Sequence, residues 1–107
     1  MNLFKLCFHV PESHLETVKD AVFSAGAGHT GGNYDRCSFQ VRGEGQFRAL
    51  EGSTPFVGRK GEVERVIEYR VETLCRGREV LDRALAALRQ AHPYEEPAID
   101  VWQLEET

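Results

Sequence analysis

Hydrophobic residues recur along the chain with two different periods. From Leu3 to Val10, and again from Val63 to Cys75, apolar and polar positions alternate. A period of two is typical of a strand with one buried face. From Leu15 to Ala25, and from Arg78 to Ala91, apolar residues instead recur every three or four positions. This second period predicts two amphipathic helices, each of which follows a strand.

The ends of both helices carry sequence signals. Ser13 followed by Glu16 matches a capping box, in which each side chain satisfies a backbone amide at the helix start. Gly26 is a typical C-terminal stop for the first helix. Pro93 ends the second helix, because the residue before a proline is pushed out of helical geometry.

The segments after the two helices predict three further strands. Two short ones, at 37–42 and 46–50, are joined as a hairpin by Gly43-Glu44-Gly45, and the last runs from Ala98 to Leu104. The predicted order is β-α-β-β-β-α-β. It indicates an α+β ferredoxin-like split βαβ sandwich, with two helices on one face of an antiparallel sheet and an extra β-hairpin.

The other face of such a sheet has no helix over it. In the usual strand order the first strand lies between the last strand and the long one, so alternate residues of three strands share this face. Opposite charges can pair across strands on a solvated face, whereas a tryptophan among ordered ion pairs is typical of an interface. We favour a homo-oligomer, a dimer or trimer, whose interface contains Cys7, Glu68, Arg70, Glu72, Asp100 and Trp102.

Composition narrows the class of protein. The 107 residues predict a single domain over residues 1–107, and the net charge of −4 with both signs interspersed argues against nucleic-acid binding. The apolar stretches are too short to span a bilayer, and the N-terminus does not match a signal peptide. Cys7, Cys37 and Cys75 are too widely spaced for a disulfide framework or a CxxC knuckle. We expect three buried cysteines in a reducing cytoplasm.

Three features of the sequence are candidates for a dinucleotide site, a metal site and a catalytic cysteine. Residues 26–31 spell G-x-G-x-x-G, but they follow a helix and lead to a strand, so a turn with positive φ angles explains them better than a dinucleotide site. Histidines and carboxylates are ordinary metal ligands, yet His29 and His92 are not spaced as a pair on a helix. Cys37 would need a neighbouring base to act as a nucleophile. We therefore expect no catalytic residue, no cofactor and no enzyme activity.

Two loops are candidates for a ligand site. Residues 26–35 and 92–97 each follow a helix and each lead into a strand, so we expect them to emerge at the same end of the sheet. Glycine amides there would meet an anion, and carboxylates and imidazoles would meet a cation. The predicted cleft takes a small molecule or a divalent metal ion and contains His29, Tyr34, His92, Tyr94, Glu95 and Glu96.

The segment from His92 to Asp100 reads HPYEEPAID. It strongly resembles the HPYEEPA-x-D signature of the YqfO family, also called NIF-three-like proteins. The resemblance extends over nearly the whole chain, through Gly26–His29, Asn33–Asp35, the Gly43-x-Gly45-x-Phe47 pattern and the Glu68-x-Arg70-x-Glu72 strand.

The resemblance implies a specific part of those proteins. Larger family members have two metal-binding halves with a ferredoxin-like domain inserted between them, and this chain looks like the inserted domain standing alone. That domain is similar to CutA and the PII signalling proteins, which are trimeric. The metal ligands of the flanking halves have no counterpart here, so a dinuclear site is not carried over.

Two functions follow from the resemblance. The first is an oligomeric binding or regulatory module, of the CutA/PII kind, that takes a small ligand or metal ion at a loop cleft. The alternative is an accessory subunit or a metal-dependent hydrolase-like enzyme, by analogy with the larger members. The signature also has a purely structural interpretation, in which Pro93 and Pro97 brace the connection and Tyr94 covers the edge of the core.

Overall fold

The computed structural model describes residues 2–107. The strands are β1 (Leu3–Pro11), β2 (Ser38–Arg48), β3 (Val63–Arg76) and β4 (Ile99–Leu104), and the helices are α1 (Leu15–Ser24) and α2 (Arg78–Ala91). The strands form one sheet in the order β2-β3-β1-β4, and each neighbouring pair is antiparallel. The predicted α+β ferredoxin-like fold is confirmed, and β1 lies between β3 and β4 as expected.

The predicted hairpin around Gly43-Glu44-Gly45 is wrong. Strand β2 is continuous over eleven residues and pairs with β3 from Ser38 opposite Thr73 to Arg48 opposite Val63. The glycines have a spatial role instead, because a Cβ placed on Gly45 would collide with the carboxylate of Glu68. They leave room for a side chain from the neighbouring strand.

Alternate residues of β1 form the centre of the core. Leu6, Phe8 and Val10 are at most 1% exposed and point towards the helices. Burying a side chain of this size stabilises the fold by about 1.5–3 kcal/mol. The helical stripes supply the other wall, which consists of Leu15, Val18, Val22, Leu81, Ala84 and Leu88.

Helix α1 ends as predicted but does not begin as predicted. Gly26 has a φ of 113° and its amide donates to the carbonyl of Phe23, while the Ala27 amide donates to that of Val22. These two bonds form a Schellman motif. The expected capping box is wrong, because Ser13 lies in a 3-10 turn at Glu12–His14 and its Oγ is 2.8 Å from His14 Nδ1.

Part of the sheet extends past the helices. Strand β3 pairs with β1 from Glu68 to Arg76, while residues 63–67 lie beyond that pairing and face residues 44–48 of β2. We call residues 44–48 and 63–67 the ribbon. Its apolar side chains are open to solvent, with Val63 49% and Ile67 39% exposed. The loop 49–62 connects the two strands at the tip of the ribbon.

Candidate functional site

The two candidate loops lie at opposite ends of the sheet, so the single predicted cleft is wrong within one chain. The first loop meets the end of β3, where the Gly28 amide donates to the Leu74 carbonyl. The second meets the end of β1, where the His9 amide donates to Ala98. Since β1 and β3 are antiparallel, the helices that follow them run in opposite directions. Leu74 pairs with Lys5, so four residues of β1, about 13 Å, separate the two contacts.

His29 and Tyr34 therefore belong to a different region from the other four predicted residues. Both are exposed, Tyr34 by 72%. The Gly31 amide donates to His29 Nδ1 at 2.8 Å, which makes the imidazole part of a local turn. A small cavity of about 320 Å³ beside this turn is lined by His29, Gly31 and Arg76, together with Gly26 and Val80.

His92 is buried between backbone groups. Its Nδ1 accepts from the Tyr94 amide at 3.1 Å, so the proton is on Nε2, which donates to the His9 carbonyl at 2.7 Å. Burial lowers the pKa of His92, although the His9 carbonyl and Glu68 act in the opposite direction. Both ring nitrogens are used, so His92 positions the loop and is not free to bind a metal ion.

Tyr94 connects the same loop to β3. Its hydroxyl donates to Glu68 Oε2 at 2.7 Å. Burial raises the pKa of the Tyr94 phenol, and the hydrogen bond and negative charge of Glu68 raise it further. Glu68 lies on the open face of the sheet, where the absence of a side chain at Gly45 leaves space for its carboxylate. Glu68 was predicted at the interface, and its contact with Tyr94 was not predicted from the sequence.

Glu95 connects the loop to the tip of the ribbon. Its Oε2 accepts from the Thr54 amide at 3.0 Å, a contact between residues that are 41 positions apart. Glu96 is exposed beside it. Three segments are thus held together by side-chain hydrogen bonds: the signature loop 92–97, strand β3 and the loop 49–62.

These segments enclose a groove of about 1120 Å³ on the open face of the sheet. Its aromatic side chains form a group around Tyr94, whose ring centroid is 6.3 Å from that of Phe47 and 6.1 Å from that of Phe56. His14 meets the Phe56 ring edge-on at 5.3 Å. Leu50, Pro55 and Val57 add apolar surface. Phe47 in the ribbon and Phe56 in the loop 49–62 were not predicted from the sequence as site residues.

The charged groups of the groove are mostly acidic. Five glutamates and two arginines line it. One of the arginines, Arg70, is directed to the sheet face, where its Nε donates to Cys7 Sγ at 3.4 Å and its Nη2 lies 3.4 Å from Glu72. The glutamates are Glu44, Glu51, Glu68, Glu95 and Glu96.

The predicted interface residues share the open face as expected. Cys7 lies opposite Glu72 on one side and Asp100 on the other, and Lys5 Nζ is 3.5 Å from Glu72 Oε1. Trp102 is 46% exposed on β4. The open face also carries Phe39 and Val41, which are 67% and 51% exposed on β2 and were not identified from the sequence. Large apolar groups therefore flank a centre of paired charges.

The cysteines divide into two classes. Cys7 and Cys75 are buried as predicted, and burial raises the pKa of the Cys75 thiol to about 11. The prediction for Cys37 is wrong, because this residue is exposed next to the glycine-rich loop. Within residues 2–107, no group of three or more His, Cys, Asp or Glu side chains is arranged to hold a metal ion.

Comparisons with known proteins find the same resemblance. A GTP cyclohydrolase 1 type 2 homolog of Mycobacterium tuberculosis is 50% identical over 103 residues, which are 96% of this chain and 27% of that protein. A Bacillus cereus protein related to NIF3 superposes with a TM-score of 0.81 at 39% identity, over 98% of this chain and 26% of its own. This chain is homologous to one segment of the NIF3-related proteins. The predicted NIF-three-like resemblance is confirmed.

The segment accounts for about a quarter of the length of these relatives. A homolog with the same name from Bacillus subtilis is 42% identical over 98% of this chain and 28% of its own length. No family model matches the chain. The periplasmic divalent cation tolerance protein CutA of Archaeoglobus fulgidus, at 16% identity and a TM-score of 0.66, covers the whole chain and shares its fold. Among residues 2–107, none of the helices is long and apolar enough to cross a membrane.

Proposed function

We propose that this NIF-three-like segment is a binding module that holds a small ligand in the groove between the ribbon and the signature loop. One observation supports the proposal: side-chain hydrogen bonds between distant segments hold the walls of the groove in place. Side-chain hydrogen bonds from Tyr94 to Glu68 and from the Thr54 amide to Glu95 fix three distant segments around it. A concave, largely apolar site with a few convergent polar groups is the usual form of a small-molecule site.

The same face supports a homo-oligomer. Phe39, Val41 and Trp102 expose large apolar surfaces there, and exposed patches of this kind mark interaction sites. On the opposite face of the sheet, the ribbon exposes Val63 and Ile67, which the helices of the same chain do not reach. We propose a dimer or trimer, with the trimer favoured by the shared CutA fold.

An organic ligand fits the groove better than a bare metal ion. Both nitrogens of His92 are occupied by backbone groups, and the remaining oxygen donors lie beside three aromatic rings. The alternative, a hydrolase-like enzyme or its accessory subunit, has no supporting contact among residues 2–107 and stays an untested prediction. Cytoplasmic location also stays a prediction.

Two measurements test the proposal. In an NMR titration with cationic, anionic and neutral small molecules, we expect amide signals of residues 44–57 and 94–98 to move with at least one of them. If none of the three classes shifts these signals, the binding role is wrong. Light scattering at high protein concentration should give a multiple of the 12.1 kDa chain mass. A mass of one chain would contradict the oligomer.

A further inference from the structure

We propose that the groove selects a small organic cation, a molecule whose alkylated ammonium or guanidinium group lies between the aromatic rings and the glutamates. This inference rests on the proposed function, since it names the chemical class of the ligand that the groove holds. Three features of the groove support it: the arrangement of its rings, the sign of its charge and the apolar surface beside the rings.

The three rings are tilted to one another and do not stack; Tyr94 also contacts the His92 ring at 5.0 Å, and Phe56 contacts the His14 ring at 5.3 Å. Tyr94 lies between Phe47 and Phe56, and its plane is tilted by 54° and 52° to theirs at centroid distances above 6 Å. Parallel stacked rings would cover one another, whereas these do not. A cation within about 6 Å of an aromatic face is attracted by the negative face of the π-system. Phe56 is 49% exposed, so a ligand can reach it from solvent.

The carboxylates add a negative charge at the same place. Glu68 and Glu95 each use Oε2 for a bond within the protein. A carboxylate has several acceptor positions, so Oε1 of each residue can accept from a ligand ammonium or guanidinium. With five glutamates against two arginines along the groove, a phosphate or carboxylate ligand would meet a repulsive field.

The apolar surface distinguishes an organic cation from a hydrated inorganic one. Leu50, Pro55 and Val57 line the groove beside the rings. These residues belong to a loop that is folded back by the Ser53 amide and hydroxyl, both of which donate to the Leu50 carbonyl. Alkyl groups on the cation would bury this surface, which an ion with a full hydration shell cannot do. The volume of about 1120 Å³ is slightly above the upper end of the range for small-molecule sites, which is about 1,000 Å³.

The first test compares choline with its uncharged isostere, the alcohol in which a tert-butyl group replaces the trimethylammonium group. The two molecules have nearly the same shape and apolar surface, and they differ in charge. In NMR titrations of the full chain at low salt, we expect choline to bind about tenfold more tightly than the isostere, because cation–π and carboxylate interactions act on the charged form alone. Signals of the Phe56 and Glu68 amides should report the binding.

Two variants test whether the tighter binding of choline arises in the groove. Phe56→Leu keeps an apolar side chain but removes a ring, and Glu68→Gln keeps an acceptor for the Tyr94 hydroxyl but removes a charge. Each should weaken choline binding about fivefold, and neither should change the affinity for the isostere by more than about twofold. Phe39→Leu and Glu79→Gln make the same changes outside the groove and should leave choline binding unaltered.

The outcomes separate this inference from the proposed function. If choline and the isostere bind equally, or if an anionic molecule such as inorganic phosphate shifts the groove signals and choline does not, the groove is a ligand site but the selection of cations is wrong. If choline shifts signals at Phe39 or Trp102 and not in the groove, the inference is also overturned. If nothing shifts the groove signals, both the inference and the binding role fail.

Discussion

The covered part of the sheet and the ribbon use the same strand in two ways. Near its C-terminal end, β3 buries Val71 and Cys75 at 1% and 0% exposure under the helices, whereas near its beginning it exposes Val63 and Ile67. The length of the elements explains the difference. Fourteen residues of α2 span about 21 Å, while fourteen residues of β3 span about 46 Å, because a strand rises more than twice as far per residue.

The same alternation of apolar residues therefore contributes to the core in one part of β3 and to an exposed surface in the other. Where a helix reaches the strand, the apolar face becomes core. Where the strand continues past the helices, the same pattern becomes an exposed surface that suits a ligand or another copy of the chain. The covered part should therefore determine folding, and the ribbon and open face should determine binding and assembly.

Truncation of matched leucines should show the largest difference between the two regions. Leu88→Ala removes a fully buried side chain of α2 and should lower the free energy of unfolding by about 2–5 kcal/mol, because a cavity remains. Leu50→Ala, at a residue that is 63% exposed in the ribbon loop, should change it by less than about 0.5 kcal/mol. Urea denaturation measures both. Equal losses would show that the ribbon is as much a part of the core as α2.

A charge on the open face should act on assembly more than on folding. Val41→Glu places a carboxylate among the exposed apolar groups of β2, and burial of this charge between subunits should weaken association by about 3 kcal/mol, roughly 100-fold. Light scattering over a dilution series measures the change. Ala86→Glu, at an exposed position of α2, is the control and should leave the mass unchanged. An unaltered Val41→Glu oligomer would place the interface elsewhere.

Two neighbouring glycines of β2 test how the groove is fixed. Gly45→Ala puts a methyl group against the Glu68 carboxylate, and we expect loss of the Tyr94 hydrogen bond at a cost of about 1 kcal/mol. Gly43→Ala meets its nearest atom at 4.0 Å and makes the same change in chain entropy. The difference between the two unfolding free energies isolates the contact. Two equally stable variants would indicate that Glu68 moves aside and keeps its bond to Tyr94.

The smallest expected effect is a pH dependence at His92. Because burial lowers the pKa of His92 in the folded chain, the folded protein binds fewer protons than the unfolded chain at mildly acidic pH. The stability from the neutral ring is complete above about pH 6.5 and is lost as pH falls through the folded pKa. Urea denaturation at pH 7.5 and 5.5 should show this loss.

His92→Asn provides the control for the pH dependence. An asparagine can accept from the amide two residues ahead, as the Nδ1 of His92 does, but it does not titrate. The variant should lose less stability between the two pH values than the wild type. Equal losses would assign the pH dependence to other groups.

Part of the candidate site was predictable and part was not. The HPYEEPAID segment supplies one wall of the groove, with Tyr94 and Glu95. The error was to pair it with the glycine-rich loop, although the antiparallel order of the predicted strands already requires the two loops to lie at opposite ends. The placement of His92 in a ligand cleft had no corrective signal in the sequence, since its partner, the His9 carbonyl, is 83 positions away.

Local pattern alone determined the two helices, the strands β1 and β3, and the core. The two periods of hydrophobic residues located α2 with its observed ends and the buried faces of β1 and α1, because burial of one face acts on each element through its own repeat. Tertiary structure decided the continuity of β2, the open ribbon and the groove. Gly45 resembles a turn residue until Glu68 is placed beside it, and the bond between Tyr94 and Glu68 exists because strand register brings distant residues together. Such contacts depend on the packing of whole elements, which no local pattern encodes.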